Sequence, residues 1–81
     1  MKIELALMII RNDHVEASKA IVADNLALLP IPVPAIGEHI EIVVHGTLHC
    51  GLVTKKVFNL AEIDDYEEGV LRIGIFADEQ S

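Results

Sequence analysis

Three prolines at alternate positions, Pro30, Pro32 and Pro34, constrain the fold of this chain more than any other feature. None of them has an N–H group to donate to a sheet ladder, and the proline ring is excluded from the interior of a helix. They predict an extended lead-in, after which Gly37 turns the chain. A period-two strand follows over residues 40–44. This order of elements is typical of entry into a small β-barrel or a tightly curled sheet.

Further segments alternate with period two and are therefore predicted to be strands. In residues 3–10 the apolar residues on one side are Ile3, Leu5, Leu7 and Ile9. In residues 70–77 they are Leu71, Ile73 and Ile75. Within the strand over residues 53–58, two adjacent lysines interrupt the alternation and predict a bulge or an exposed edge: Lys55 and Lys56.

Residues 14–24 allow two interpretations. Asp13 and Glu16 have the spacing of a capping box, and several alanines favour a helix. The apolar residues form no single helical stripe, however, and residues 24–25 have the composition of a hairpin turn. We favour the helix. The sequence thus predicts one mainly β (α+β) domain over residues 1–81, a small curled sheet or partly open barrel of about five strands with one short helix near residues 14–24.

The register of the central hairpin follows from its apolar sets. Residues 40, 42 and 44 share one face of the first strand, and residues 48, 50 and 52 share one face of the second. Turning both sets inward requires a three-residue loop over residues 45–47, because a slip of one residue moves every side chain to the other face. In this register Val43 and Val53 point away from the core.

The motif Pro-x-Pro-x-x-Gly-Glu-x-Ile over residues 32–40 resembles the strand entry of small accessory barrels from phages and other mobile elements. The motif covers less than half of the chain. The resemblance implies a barrel, and an accessory role of that kind, and it implies no enzymatic activity.

The net charge of the chain limits the classes of partner that it can bind. A net charge of −7 repels phosphate backbones and anionic lipids, so we expect neither nucleic acid nor a membrane as a partner. With one cysteine, the chain can form no internal disulfide, and we expect a cytoplasmic location. Five acids between residues 62 and 68 are predicted to form a solvated loop between two strands: Glu62, Asp64, Asp65, Glu67 and Glu68.

The residues with metal-ligand chemistry cluster in the central hairpin. Histidine, cysteine and carboxylate are the ligands that zinc takes, and His39, Glu41, His49 and Cys50 lie within a dozen residues. In the predicted register Cys50 points inward as an inert core residue while the other three face outward. We therefore predict no cofactor and no functional metal, at most a weak surface site of His39, Glu41 and His49. An enzyme is supported only if these three act across a subunit interface.

The functional prediction rests on the number of aliphatic residues. Of the 81 residues, 28 are Ile, Val or Leu, more than a small monomer can bury, and a large exposed apolar patch usually marks an interface. We predict a small acidic protein-interaction module that forms a homodimer or larger oligomer, or binds another protein, through an apolar sheet face. The candidate interface residues are Val43, Val53, Val57, Val70 and Phe76, and Val43→Glu is expected to break assembly.

A small-molecule or metal-binding β-barrel is the alternative function. It requires an internal cavity, and the residues predicted to line that cavity are Leu5, Leu7, Ile42 and Ile73. Small barrels fill with their own side chains, which makes this alternative the weaker one.

Overall fold

The computed structural model describes residues 2–61 and 69–80, which form five strands and one short 3-10 helix. The strands are β1 (Lys2–Arg11), β2 (His14–Ala23), β3 (His39–Val44), β4 (Thr47–Ala61) and β5 (Val70–Glu79), and the 3-10 helix is Leu26–Leu28. They make one mixed sheet in the order β2-β1-β5-β4-β3, curled into a half-barrel. Strands β1 and β5 are parallel, and the other neighbours are antiparallel. The predicted small curled β-sheet of about five strands is confirmed.

The core lies on the concave face of the half-barrel. The side chains of β1 that were predicted to share a face are all at most 5% exposed, and those of β5 lie directly beside them. The other strands add Ala17, Ile42 and Val53 to the same cluster. The set of buried hydrophobic residues is Ile3, Leu5, Leu7, Ile9, Ala17, Ile42, Val53, Ile73, Ile75 and Ala77.

The predicted helix near residues 14–24 is wrong, because these residues form strand β2. Asn12 and Asp13 both have positive φ, 52° and 65°, and make a tight turn that folds β2 back on β1. The two strands then pair from Arg11↔His14 to Ile3↔Ala23. Asp13 is therefore a turn residue rather than a helix cap, and the ladder outweighs the helix propensity of the alanines. Asp24 and Asn25 do not make the alternative hairpin, since a 3-10 helix follows them.

The predicted register of the central hairpin is also wrong. Its loop contains two residues, His45 and Gly46, with φ of 51° and 78°, and Val44 pairs with Thr47. Two positive φ values in a two-residue loop match the right-handed twist of the flanking strands. Because the loop is one residue shorter than predicted, Leu48, Cys50 and Leu52 lie on the convex face. Val53 lies on the concave face and is 1% exposed.

The turn predicted at Gly37 after the prolines is confirmed. Residues 30–35 have no regular secondary structure, and Gly37 turns the chain with φ of 93°. The turn is anchored on β4, since the Gly37 N–H donates to the Val53 carbonyl and the Val53 N–H donates to the Glu38 carbonyl, each at 2.9 Å. Along this segment Leu29 and Val33 pack against the core. The segment therefore packs against the core before it leads into β3.

The two outermost strands of the sheet approach each other without forming a ladder. Residues of β2 lie near residues of β3, and the Lys19 ammonium donates to the Val43 carbonyl at 3.1 Å. Lys19 lies opposite Leu7 in the register of β1 and β2, at a position that faces the concave side. This contact bridges the seam of the half-barrel with a side chain rather than with backbone hydrogen bonds.

Gly51 lies on the concave side against Ala77 and Ile9, and its replacement gives a test of the fold. A Cβ at Gly51 would lie 2.7 Å from the Cβ of Ala77 and 2.9 Å from Cδ1 of Ile9, whereas at Gly74 the nearest atom is the Cε2 of Phe76 at 3.3 Å. Gly51→Ala should lower the free energy of unfolding by about 1–3 kcal/mol, the usual cost of overpacking. Gly74→Ala is the control and should cost less. Urea unfolding at matched protein concentration measures both, and an equal or greater loss for Gly74→Ala would contradict this account.

Candidate interaction surfaces

The convex face of the sheet carries a contiguous apolar patch over its central strands. Met8 of β1 pairs with Phe76 of β5, and in the next row Ala6 pairs with Gly74, which pairs with Val57 of β4. A Cβ at Gly74 would touch both Phe76 and Met8, which shows that these side chains meet above the glycine. We call this the convex patch, and it consists of Ala6, Met8, Ile10, Val57, Gly74 and Phe76.

Apolar residues are unusual on the solvent side of a sheet. In a sheet with one face in water, apolar and polar residues normally alternate along each strand. In a strand that is covered on both faces, the sequence is a continuous apolar run. Residues 5–10 of β1, Leu-Ala-Leu-Met-Ile-Ile, are such a run. Within the described residues, the other face of this strand has no covering helix or second sheet.

The borders of the convex patch carry balanced charge. On one side Arg72 forms an ion pair with Glu4, with Nε and Oε1 3.4 Å apart. On the other side lie Lys55, whose ammonium is 5.3 Å from the ring centre of Phe76, and Asp78. Each border thus has one acid and one base, in a chain whose net charge is −7.

The candidate interface residues fall into three groups. Val57 and Phe76 belong to the convex patch, and Val70 is on the same face beyond the row of Glu4 and Arg72. Val43 is 50% exposed on the convex side of the hairpin, opposite Leu48. The outward orientation predicted for Val53 is wrong, because the two-residue turn places it in the core.

Sequence reasoning missed several residues of these surfaces. The alternation of residues 3–10 identifies the buried side of β1 but not an interface on the side that carries Ala6, Met8 and Ile10. The continuous apolar run of residues 5–10 was the available signal, since it is typical of a strand covered on both faces. Leu48 was missed because the hairpin register was wrong by one residue.

The histidines and the cysteine of the hairpin do not come together as a metal site. His39, Glu41 and Cys50 share the convex face, whereas His49 pairs with Ile42 on the concave face. The inward position predicted for Cys50 is therefore wrong, and so is the outward position of His49. Among residues 2–61 and 69–80, no group of three potential ligands lies close enough to hold a metal ion.

Cys50 instead contacts a carboxylate. Its Sγ donates a weak hydrogen bond to Oε2 of Glu41 at 3.7 Å. Desolvation, and then the charge and hydrogen bond of Glu41, raise the pKa of the Cys50 thiol above its ordinary value. A raised pKa leaves less thiolate at neutral pH, which is the opposite of what a nucleophilic cysteine needs.

A second exposed surface lies on the projecting part of β4. Strand β3 pairs only with residues 47–52 of β4, while β5 pairs with residues 51–61. Beyond Val53, the side of β4 away from β5 has no backbone partner among the described residues. On the concave face of this part, Phe58 is 61% and Leu60 63% exposed. We call residues 54–61 the free edge.

The residues predicted to line a ligand cavity are core residues. All four, Leu5, Leu7, Ile42 and Ile73, are at most 5% exposed and belong to one packed cluster. A surface depression lies instead beside the β1–β2 turn, where Arg11 Nε and Glu79 Oε1 are 3.6 Å apart. The acidic segment predicted as a loop, with Glu62, Asp64, Asp65, Glu67 and Glu68, lies outside the described residues.

Comparison with family models, with curated proteins and with solved structures finds no match to this chain. Across residues 2–61 and 69–80, no helix combines the length and hydropathy that crossing a membrane requires.

The neighbourhood of Cys50 gives a prediction about thiol reactivity. Glu41→Gln removes the negative charge that helps to raise the thiol pKa, so the fraction of thiolate at pH 8 should rise. Alkylation by iodoacetamide should then be faster, and its pH–rate profile should move to lower pH. Glu16→Gln, which changes an exposed carboxylate on β2, is the control. Identical profiles for Glu41→Gln and the unmodified protein would show that Glu41 does not act on the thiol.

Proposed function

We propose that this protein is a small interaction module that self-associates, with the convex patch of one copy covering the convex patch of another. The observation that carries the proposal is the continuous apolar run of β1. Its concave side chains fill the core, and its convex side chains Ala6, Met8 and Ile10 adjoin Phe76. Two sheets packed face to face about 10 Å apart would give these residues the second cover that such a strand usually has.

The charges around the convex patch favour a second copy as the occupant. Two chains that each carry −7 repel one another, and the repulsion is smallest where the surface is locally neutral. The patch itself is uncharged, and each border presents one acid and one base: Glu4 with Arg72, and Asp78 with Lys55. In a two-fold arrangement both copies contribute the same surface, so acids of one border can face bases of the other.

The apolar side chains at the centre of the convex patch already pack on one another. Ala6 and Gly74 lie in the row between the Glu4–Arg72 pair and the Met8–Phe76 pair, and the side chains of Met8 and Phe76 meet above Gly74. A second copy would pack its own side chains against this Met8–Phe76 surface, as side chains do between packed sheets. A core of this kind with a charged rim is the composition expected of a stable interface.

No described residue favours the small-molecule or metal-binding alternative over self-association, because its predicted lining is packed in the core. The accessory role implied by the resemblance at residues 32–40, the cytoplasmic location and the binding of other proteins stay predictions.

Val57→Glu tests the proposal. It introduces a carboxylate into the convex patch, where two copies would each bury it, so the solution mass by light scattering should fall to that of a monomer. Val22→Glu is the matched control, the same change on the same face of β2, where Val22 is 63% exposed beside Glu4. The control should keep the mass of the unmodified protein. Circular dichroism establishes that both variants are folded.

The same measurement on Val43→Glu distinguishes the convex patch from the exposed tip of the hairpin. Val43 and Leu48 lie beyond the end of β5, away from Val57. We expect Val43→Glu to retain the oligomer, which revises the expectation drawn from the sequence. A monomeric unmodified protein, or loss of assembly in Val43→Glu but not in Val57→Glu, would refute the proposed interface.

A further inference from the structure

We propose a second binding site on this protein: the free edge of β4 takes an extended acidic peptide as an additional strand. This site is separate from the proposed self-association surface, because it uses the backbone edge and the concave side of β4 rather than the convex patch. Lys55 also borders the convex patch, so the variants that test the free edge by itself are at Phe58 and Lys56, which lie on the concave face.

The backbone of the free edge is long enough to accept a strand. Beyond Val53, which bonds to Gly37 and Glu38, none of the described residues pairs with this side of β4. Residues 55–61 nevertheless form a regular ladder with β5 on their other side, so their conformation is already extended. Seven residues exceed the usual strand length of about five or six. Strand addition would satisfy N–H and C=O groups without rearranging the sheet.

Side chains on the concave face of the free edge offer apolar contacts to such a peptide. Phe58 and Leu60 are more than 60% exposed and lie beside Ile73 and Leu71 of β5. Alternate side chains of an added strand would fall on this same face and pack against Phe58 and Leu60. The register therefore predicts a peptide with apolar residues at every second position.

The charge of the free edge selects an acidic partner. Residues 54–61 contain two bases, Lys55 and Lys56, and no acid, so this stretch carries +2 in a chain of −7. The Lys56 ammonium lies 5.5 Å from the ring centre of Phe58 and that of Lys55 lies 5.3 Å from Phe76. The charge of Lys56 is thus held on the concave face beside Phe58, within reach of a carboxylate on an added peptide, whereas Lys55 lies toward β5 on the convex face.

Lysines on an edge strand commonly prevent it from pairing with another strand. Here they determine which kind of strand can be added to the free edge. A second copy of the free edge would bring its own +2 and raise the local charge to +4. An acidic peptide would neutralise the charge instead. The same two residues therefore disfavour edge-to-edge pairing of copies and favour a strand of opposite charge.

The experiment measures the fluorescence anisotropy of a labelled nine-residue peptide, Asp-Glu-Ile-Thr-Val-Thr-Ile-Glu-Asp, titrated with the full chain. A peptide in which lysines replace the four acids is the charge control. We expect the acidic peptide to bind at least tenfold more tightly than the basic one, with an affinity that falls as salt is added. Equal binding of the two peptides, or no binding of either, overturns the proposal.

Variants locate the site. Phe58→Ser should weaken binding of the acidic peptide at least tenfold, because burial of an aromatic side chain is lost. Leu48→Ser is the matched control, since Leu48 is 56% exposed on the paired part of β4 and on the opposite face. Lys56→Glu changes a charge on the concave face and should shift the preference at least tenfold toward the basic peptide. Unchanged affinity in Phe58→Ser, or unchanged preference in Lys56→Glu, also overturns the proposal.

Amide hydrogen exchange distinguishes strand addition from simple apolar contact, and it separates this site from self-association. Saturating acidic peptide should slow exchange in residues 55–61 and leave β2 unchanged. Met8→Glu places a carboxylate in the convex patch on β1 and leaves the free edge unchanged, so it should bind the peptide within about threefold of the unmodified affinity even where it is monomeric. If Phe58→Ser instead lowers the solution mass and the acidic peptide does not bind, the edge is occupied by a second copy and the proposal is wrong.

Discussion

The parallel pairing of β1 with β5 is the constraint on which the rest of the structure depends. It joins strands separated by most of the chain, and it aligns Leu5 with Ile73 and Leu7 with Ile75 at the bottom of the concave face. Once these two strands lie side by side, β2 can only extend the sheet beyond β1, and β4 beyond β5. Parallel neighbours cannot be joined by a tight turn, so the chain between them crosses from one edge of the sheet to the other, which it does between β2 and β3.

The same two strands also place apolar side chains on the convex face. A domain of 81 residues has no described element to place on the convex side, yet Met8 and Phe76 are apolar and adjacent there. The convex patch is locally neutral in an acidic chain. Self-association is the proposal that resolves both observations with the same residues, since it covers the apolar side chains where repulsion between copies is least.

The bulge in β4 accounts for the second surface. The register between β4 and β5 shifts between Val53 and Lys55, so one extra residue changes which side chains of β4 face the concave side. Val53 enters the core before the bulge, and Phe58 faces the concave side after it. Because β3 ends its pairing at residue 52, the remainder of β4 has a free backbone edge with two lysines at its start. The bulge therefore sets which side chains of β4 face the concave side, and the end of the β3 ladder leaves the backbone edge free.

Alternation and turn chemistry by themselves determined much of this protein. They placed Ile3, Leu5, Leu7 and Ile9 in the core, and they identified the proline lead-in, the Gly37 turn and the irregularity at the two lysines, because these features depend on local backbone geometry. The functional prediction of an apolar interface came from composition alone, and the structure supplied the convex patch without the partner. Tertiary structure alone decided the state of residues 14–23, where a ladder with β1 outweighs helix propensity.

The hairpin register was likewise decided by tertiary packing. Counting apolar residues favoured a three-residue loop that would bury Leu48 and Cys50. The folded chain instead uses a two-residue turn, which places Gly51 against Ala77 and Ile9, where a Cβ would be 2.7 Å from its nearest neighbour. The concave face has room at that point for a glycine and not for a larger side chain. A sequence shows which residues are apolar, but the space available to each is set by neighbours that are distant along the chain.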